Sequence, residues 1–264
     1  MPETAIASNV ATNLGRAELV ASSRSGRTVV SHQYSCAPLQ WLGPLHPSDR
    51  RQVLYLRNPN GGLLRGDAQS ISIRLEANAH VEIRTQSATR LHPGLSRQDI
   101  EIILDADSSL VWVNHPAILG TDTEFEQAVN VTLAPTARLA YAEVWAAGRL
   151  AMSQEFAPTG ADELEQWQFK RLSNRLRVDR DGSPVLRDAI VSMFPHSALT
   201  TAGVLQSYTC WGSLYLFGNW PNVDWPETDN QWAVKSQSGD RILRMVSDRS
   251  IDIWQKFQYS VSGF

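Results

Sequence analysis

The carboxylate of Glu143 is placed where it could bind a cation or exchange a proton. Glu143 shares its parity with Leu139, Tyr141 and Trp145 in a strand-like segment, so it is predicted to point with them toward the interior. A buried carboxylate must be paired, protonated, or in contact with water or a cation. The alternative is that the strand end reaches solvent and Glu143 points outward.

A second carboxylate, Asp67, closes the glycine-rich segment "NPNGGLLRGD", Asn58 to Asp67. The spacing of Gly61 and Gly66 imitates a phosphate-binding loop, but such a loop continues with Lys and leads into a helix. Here Asp67 would repel phosphate, and "AQSISIRLE" continues as a strand, so nucleotide binding is not predicted. A tight turn is the simplest interpretation, because glycine tolerates positive φ. Asp67 and Glu143 could also serve as acid and base in an enzyme, although no motif supplies a substrate pocket.

Histidine and cysteine spacing gives no closed metal site. The six histidines form no HxH or HExxH pattern, and Cys36 and Cys210 lie far apart without a CxxC pair. Two ordinary buried thiols are predicted instead. A GxSxG motif and a neighbouring Cys-His pair are also missing from the sequence, so no nucleophile is indicated.

Length and composition indicate one soluble domain over residues 1–264. The chain is 42% hydrophobic with a net charge of −3 and no block of like charges, so neither nucleic acid nor an anionic membrane is the expected partner. The sequence has neither a basic, apolar leader nor an apolar run of about 18 residues, the length needed to span a bilayer. A cytoplasmic location is expected.

The elements that must position the carboxylates are mainly strands. Alternation with a period of two dominates the first two thirds of the chain, and Asp181-Gly182 between two short runs predicts a β-hairpin. One or two short helices are expected near the C-terminal third. The candidates are "SALTTAGVLQSY" from Ser197 and "DRSIDIWQKFQ" from Asp248, the latter with Ile251, Trp254 and Gln255 on one side.

A repeat of 29 residues appears when the sequence is compared with itself. "LEANAHVEI", "LDADSSLVW" and "LAPTARLAY" align from Leu75, Leu104 and Leu133, and each has the pattern strand, polar turn, strand. Such a period predicts layered, solenoid-like β-sheets whose units bury their apolar faces against each other. Chance similarity among turns of an all-β chain is the alternative.

If the register is real, the second strand of each unit ends in polar groups on one face. Ile83, Trp112 and Tyr141 are then equivalent positions. The next inward positions are Thr85, Asn114 and Glu143.

Two linked motifs make the chain similar to the urease accessory protein D family, which is called protein H in some bacteria. The first is a Pro-x-Gly-Gly-Leu-Leu-x-Gly-Asp turn, and the second is a Thr-Gln-Ala/Ser-Ala-Thr segment. The matching residues are Pro59, Gly61, Gly62, Leu63, Leu64, Gly66 and Asp67, followed by Thr85, Gln86, Ser87, Ala88 and Thr89. The resemblance covers roughly Val53 to Asp188.

The resemblance implies a non-catalytic urease maturation factor with a layered helicoidal β scaffold. Its partners would be apo-urease, the helical accessory protein F and the GTPase accessory protein G, which itself binds and hydrolyses GTP. No cofactor would be tightly bound. Nickel would pass transiently through an internal, water-filled channel of the scaffold to the urease active site.

Five residues are candidates for lining that channel. Asp67 is nominated by the motif and Glu143 by parity, while Thr85, Asn114 and His115 follow from the register. The chain departs from the family pattern at Arg65, within "LLRGD", and in the shortened segment "HPAIL", where a customary carboxylate is missing near Pro116. A binding module of the same fold that has lost nickel transfer is therefore the alternative function.

Overall fold

The computed structural model describes residues 13–45, 51–149, 165–202, 204–221 and 225–262. Within these ranges the chain forms eighteen strands and one helix. They are β1 (Asn13–Arg24), β2 (Arg27–Cys36), β3 (Gln40–Leu42), β4 (Gln52–Arg57), β5 (Gly62–Leu63), β6 (Asp67–Leu75), β7 (His80–Thr85), β8 (Thr89–Leu91), β9 (Gly94–Leu104), β10 (Ser109–Val113), β11 (Ala117–Leu119), β12 (Thr123–Leu133), β13 (Arg138–Ala146), β14 (Arg171–Arg180), β15 (Ser183–Met193), β16 (Cys210–Phe217), β17 (Gln231–Lys235), β18 (Arg241–Ser247) and α1 (Ser250–Val261). The prediction of a mainly β fold is confirmed.

The strands form two facing sheets, here called sheet A and sheet B. Sheet A has the order β15-β14-β12-β9-β6-β1-β2, and its five central strands are parallel. The main path of sheet B has the order β17-β18-β16-β13-β10-β7-β4-β3, with a parallel centre from β13 to β4. A short parallel ladder of β5, β8 and β11 joins sheet B through β13.

Each 29-residue repeat forms one turn of a coil that passes through both sheets. Leu75 pairs with Leu104, and Leu104 pairs with Leu133, in sheet A. In the second strand of each unit, which follows the polar turn, Trp112 pairs with Ile83 and with Tyr141 in sheet B. The two strands of a unit therefore belong to opposite sheets, and like residues stack on like residues along the parallel ladders, as in solenoids.

The core between the sheets is built from these stacked rows. Ile71, Ile100 and Val129 come from sheet A, and Trp112 meets Tyr141 edge-on from sheet B with ring centroids 5.7 Å apart. Each fully buried side chain of this size contributes about 1.5–3 kcal/mol relative to an exposed one. Alternate residues face outward, which explains the period of two in the sequence.

The C-terminal helix covers the outer face of sheet B. Its buried stripe is Ile253, Phe257 and Val261, which packs on small strand residues such as Ala140 and Ala142. The sequence predicted the helix correctly but grouped Ile251, Trp254 and Gln255, of which Gln255 is exposed. The stripe at i, i+4 and i+8 is buried instead because it faces the flat, small-residue surface of the sheet.

Three smaller predictions have mixed outcomes. Asp181 and Gly182 have φ of 50° and 72° and connect β14 to β15 as an antiparallel hairpin, as predicted. The described residues of Ser197–Tyr208 form turns and bends, so the predicted helix there is wrong. Cys210 is buried, whereas Cys36 is only partly buried because it ends the edge strand β2. Among the described residues, no helix combines the length and apolar character needed to cross a membrane.

Candidate functional site: a polar cavity between the sheets

A cavity opens between the two sheets at the ends of the repeat strands. The cavity has a volume of about 110 Å³, which is enough for several water molecules. Its wall mixes aliphatic and aromatic side chains with amides, hydroxyls, an imidazole, a carboxylate and the guanidinium group of Arg57. The polar part of the lining includes Gln69, Gln98, Gln127, Thr85, Gln86, Thr89, Asn114, His115 and Glu143.

Four of the five predicted channel residues meet at this cavity. Thr85, Asn114, His115 and Glu143 all contribute to its wall. Glu143 is only 4% exposed, so the alternative in which it points outward is wrong. The parallel register explains the convergence, because residues 29 positions apart are neighbours on successive strands.

The opposite wall carries a row of glutamines that the sequence analysis missed. Gln69 pairs with Gln98, and Gln98 pairs with Gln127, on adjacent strands of sheet A. The Gln98 Nε2 group donates to the Gln69 Oε1 atom at 2.7 Å. The signal was present in the sequence, since these residues precede Leu75, Leu104 and Leu133 by the same interval.

Glu143 is held by three neutral donors. Its Oε1 atom accepts hydrogen bonds from Tyr141, with an O–O distance of 2.9 Å, and from Gln127, while its Oε2 atom accepts one from the Asn174 side-chain amide. Asn174 pairs with Gln127 in sheet A and lies opposite Glu143. It lies outside the 29-residue repeat, so no periodic signal in the sequence could nominate it.

Burial decides the protonation of Glu143. Removal from water raises its pKa to about 7, and the nearby charge of Asp188 acts in the same direction. The hydrogen bonds from Asn174, Tyr141 and Gln127 oppose this rise by favouring the ionised form. Near neutral pH the carboxyl group therefore exchanges readily between its protonated and ionised states, and a divalent cation would favour the ionised one.

His115 connects the cavity to the C-terminal helix. Its Nδ1 atom is 2.8 Å from the Thr85 hydroxyl, which also accepts the His115 backbone N–H at 2.9 Å. Its ring stacks on Trp254 of α1 with centroids 4.3 Å apart. Burial lowers the pKa of His115, so the ring is neutral at physiological pH and keeps a nitrogen lone pair.

Asp67 lies at the start of β6, outside the cavity wall. Its Oδ2 atom accepts the Leu64 backbone N–H at 2.9 Å, and its own N–H donates to the Leu64 carbonyl at 3.0 Å. Asp67 as a whole is 4% exposed, and its carboxylate closes the turn of the glycine-rich segment. The structure therefore does not bring Asp67 and Glu143 to one site, and a nickel role for Asp67 stays a prediction.

The glycine-rich motif contributes to the wall of the cavity. Gly61, Gly62 and Leu63 line the cavity together with Gln86 and Thr89 of the second motif. Gly62 pairs with Arg90, and Leu63 pairs with Leu91, in the short parallel ladder. The remaining motif residues lie in the same turn: Pro59 precedes the glycines, Leu64 is exposed, and the Gly66 N–H donates to the Leu95 carbonyl at 2.8 Å. The two sequence motifs are thus one structural feature.

Removing the Asp67 carboxylate should weaken the turn without blocking the cavity. We expect Asp67→Ala to lower the free energy of unfolding by about 2 kcal/mol, because hydrogen bonds to charged groups contribute ~1.5–3 kcal/mol. Asp99→Ala, at an exposed position of β9, is the matched control and should change it little. Urea denaturation measures both. Equal stability of the two variants would contradict the structural role.

The geometry defines a class of protein: a parallel β-coil scaffold with a polar cavity between its two sheets. Among the described residues, no three His, Cys, Asp or Glu side chains converge to hold a metal. The available ligands are oxygen-rich and dispersed, an arrangement that permits weak, exchangeable contacts with a hard or borderline cation.

The chain belongs to the UreD urease accessory protein family, because the model of that family matches residues 13–260. It is 46% identical over 258 residues to the urease accessory protein UreD 2 of Synechococcus sp. strain JA-3-3Ab, covering 90% of this chain and 91% of the relative. It is 44% identical over 264 residues to a urease accessory protein UreD of another Synechococcus strain, JA-2-3B'a(2-13), covering 93% of each chain. The urease accessory protein UreH of Helicobacter acinonychis is 24% identical over 194 residues, 72% of this chain and 70% of the relative. Membership of this family supports a role in urease maturation.

Proposed function

We propose that this protein is a non-catalytic scaffold that carries Ni²⁺ to apo-urease through the cavity between its sheets. The observation that supports this best is the convergence of Thr85, Asn114, His115 and Glu143 on one polar cavity. Its partners would be apo-urease, the helical accessory protein F and the nickel-loaded GTPase accessory protein G. The protein would act in the cytoplasm.

The cavity is chemically suited to transient passage of a divalent ion. Carboxylate, amide and hydroxyl oxygens hold Ni²⁺ weakly, whereas a cage of His and Cys would retain it. Passage requires sites that are favourable enough to enter and weak enough to leave. Glu143 supplies the only carboxylate among the lining residues of this cavity, and its ionisation as Ni²⁺ arrives would release a proton.

The catalytic alternative, with Asp67 and Glu143 as acid and base, has little support. Glu143 lines the cavity, whereas the Asp67 carboxylate is bound to the Leu64 N–H in the turn. A general acid and base must both reach one substrate. The relatives are also named accessory proteins rather than enzymes.

Replacing a polar residue of the cavity wall by an apolar one should strongly slow nickel delivery without unfolding the protein. Asn114 lines the cavity and makes a long side-chain contact of 3.3 Å to the Ala142 carbonyl, so Asn114→Leu replaces a polar wall group by hydrocarbon with little loss of hydrogen bonding. We expect the initial rate of urease activation to fall about a hundredfold, because an unhydrated ion is strongly disfavoured beside apolar groups. The rate is measured with apo-urease, the two accessory proteins, Ni²⁺ and GTP.

The matched control is Asn130→Leu, at an exposed position on the outer face of β12. Co-purification with apo-urease and the accessory proteins should be unchanged for both variants. Wild-type protein that assembles with its partners but does not support activation would identify the chain as a binding module that has lost nickel transfer. Full activation by Asn114→Leu would exclude the cavity as the nickel route.

A further inference from the structure

The outer face of sheet A is open at its centre. The outward side chains of β9, β12 and β14 alternate with the buried ones, and those exposed there include Asp99, Glu101, Asn130, Arg175 and Arg177. The helix α1 packs on sheet B, and no other described helix or strand covers this side of sheet A. The face is therefore available to a partner.

Two acidic and two basic side chains on this face have no ion pair within the chain. In the part of the chain that the structure describes, the side chains of Asp99, Glu101 and Arg177 make no hydrogen bond or ion pair, and Arg175 donates only to the Ser173 hydroxyl, at 2.6 Å. The acidic and basic pairs lie on strands two positions apart, a separation of roughly 10 Å. Their charges are left for groups outside the chain.

The strand register aligns the acidic pair with the basic pair. The parallel ladders place them in two adjacent outward rows, Asp99-Ala128-Arg175 and Glu101-Asn130-Arg177. The intervening strand β12 contributes only small, uncharged side chains to these rows, Ala128 and Asn130. The face is therefore negative on one side of β12 and positive on the other, at the same height along the strands.

We propose that this face binds a second copy of the same chain around a two-fold axis parallel to β12. Such an axis exchanges the two sides of β12 between the copies and keeps the position along the strand. Asp99 then lies opposite Arg175 of the second copy, and Glu101 lies opposite Arg177 of the second copy. By symmetry each contact occurs twice. The charge pattern is thus complementary to itself, and the proposal is independent of nickel transfer.

The neighbouring outward row fits the same axis. Ala68 and Val191 lie two strands from β12 on opposite sides. Val191 is 51% exposed, and the axis places it against Ala68 of the second copy, so apolar surface is removed from water. Glu126 lies between them on β12, where Arg97 and Arg171 of its own chain both bind it. The two copies of Glu126 therefore do not meet as unpaired charges.

The area of this face suits a reversible dimer. Five strands about 4.8 Å apart, with about seven residues of ~3.3 Å on each, cover roughly 550 Å² per copy. The total of about 1,100 Å² is near the lower limit for a specific interface. Glu124, which has no ion pair, lies toward one end of the face, where the twist of the sheets separates the copies. Because such a dimer dissociates on dilution, Asp99 and Glu101 have little effect on the unfolding of the monomer.

Sedimentation velocity of the full chain over a wide range of concentrations tests for the dimer. We expect a monomer–dimer equilibrium whose dissociation constant rises about tenfold from low to high salt, because the ion pairs lie near solvent and are screened. Wild-type protein that stays monomeric at high concentration and low salt would overturn the proposal. A dimer that is insensitive to salt would show that another surface forms it.

A charge exchange identifies the residues that meet. One variant carries Arg175→Asp and Arg177→Glu, and the other carries Asp99→Arg and Glu101→Arg. Each variant alone places like charges opposite each other, so its dimer should be at least about tenfold weaker. An equimolar mixture should dimerise again, because the acidic β14 of one variant meets the basic β9 of the other and the second contact keeps its native charges. A mixture as monomeric as its components would contradict the proposed pairing.

The single variants Arg177→Glu and Glu101→Arg carry the same test if a double variant does not fold, which circular dichroism shows. Lys235→Glu, at an exposed position of β17 in sheet B, is the matched control and should dimerise as the wild type does. Co-purification with apo-urease and the accessory proteins is measured for every variant. If the wild type is monomeric and the reversals abolish binding of one of these proteins, the face belongs to that partner and the self-association is wrong.

Discussion

Replacing Glu143 by Gln is expected to stabilise the protein above neutral pH and to impair nickel delivery. Burial raises the pKa of Glu143 to about 7 from an ordinary value of 4.5. The folded protein therefore binds this proton more tightly than the unfolded chain does. The stabilising contribution is fully present below the unfolded pKa and is lost as pH rises through the folded one.

The size of this effect follows from linkage. A shift of this extent corresponds to about 3 kcal/mol between the two protonation states, since one pKa unit is about 1.4 kcal/mol. Relative to Glu143→Gln, the wild-type free energy of unfolding should fall by about 3 kcal/mol between pH 4.5 and pH 8. Urea denaturation at several pH values in this window measures the difference.

The comparison between the two proteins isolates Glu143 from other titrating groups. Burial lowers the pKa of His80, His115 and His196, so these histidines change stability in the opposite direction as pH rises. They contribute equally to wild type and variant. Glu101→Gln, at an exposed position of β9, serves as a control and should give a pH profile parallel to that of the wild type. A Glu143→Gln profile parallel to the wild type would show that the carboxyl group is not buried as described.

The same variant tests the role of the charge in nickel transfer. An amide keeps the size of the side chain but cannot become an anion when Ni²⁺ arrives. We expect urease activation to fall about tenfold. If Glu143→Gln is more stable than the wild type but activates urease more slowly, the Glu143 carboxylate acts in nickel transfer and not in stabilising the fold. Unchanged activation would remove Glu143 from the nickel path.

Adding a single methyl group at Gly62 is expected to destabilise the protein strongly at the wall of the cavity. A Cβ atom there would lie 1.9 Å from the Arg90 carbonyl oxygen, and the backbone has a φ of +145°. The contact is with backbone in the short ladder, so no flexible side chain can yield. We expect Gly62→Ala to lower the free energy of unfolding by about 3 kcal/mol or more, because overpacking costs ~1–3 kcal/mol and backbone strain a similar amount.

The neighbouring glycine gives a matched control. Gly61 has a φ of +75°, but a Cβ atom there would meet nothing within 4 Å. Gly61→Ala should therefore lose only about 1–2 kcal/mol, the left-handed strain of an ordinary residue. Thermal and urea unfolding measure both variants. Similar losses at the two positions would show that the close approach of Gly62 to β8 is not important for stability.

The layered fold could be predicted from the sequence because its structural unit repeats every 29 residues. Parallel stacking places each residue beside the one 29 positions away, so the register of Leu75, Leu104 and Leu133 could be read directly. The same register placed Thr85, Asn114 and Glu143 together, and it contains the row of Gln69, Gln98 and Gln127 as well. The hairpin turn at Asp181-Gly182 was equally predictable from the sequence, because few residue types adopt the positive φ angles that this turn requires.

Features outside the repeat needed the tertiary structure. The buried face of α1 depends on which strand residues are small. The described residues of Ser197–Tyr208 form turns and bends despite a helix-like composition. Asp67 was nominated by a motif, yet its carboxylate binds the Leu64 N–H. A motif identifies a residue that matters without stating whether it supports the fold or meets a ligand.

From the sequence we could predict the β coil, its period and an inward-pointing Glu143, because these features follow from local alternation and from a register that repeats along the chain. The folded structure was needed to show that Gln127 and Asn174 of sheet A lie opposite Glu143, and that Asp188 pairs with Arg244. The reason is physical: contacts between facing sheets depend on how the two sheets are placed against each other, and no periodicity within one strand encodes that placement.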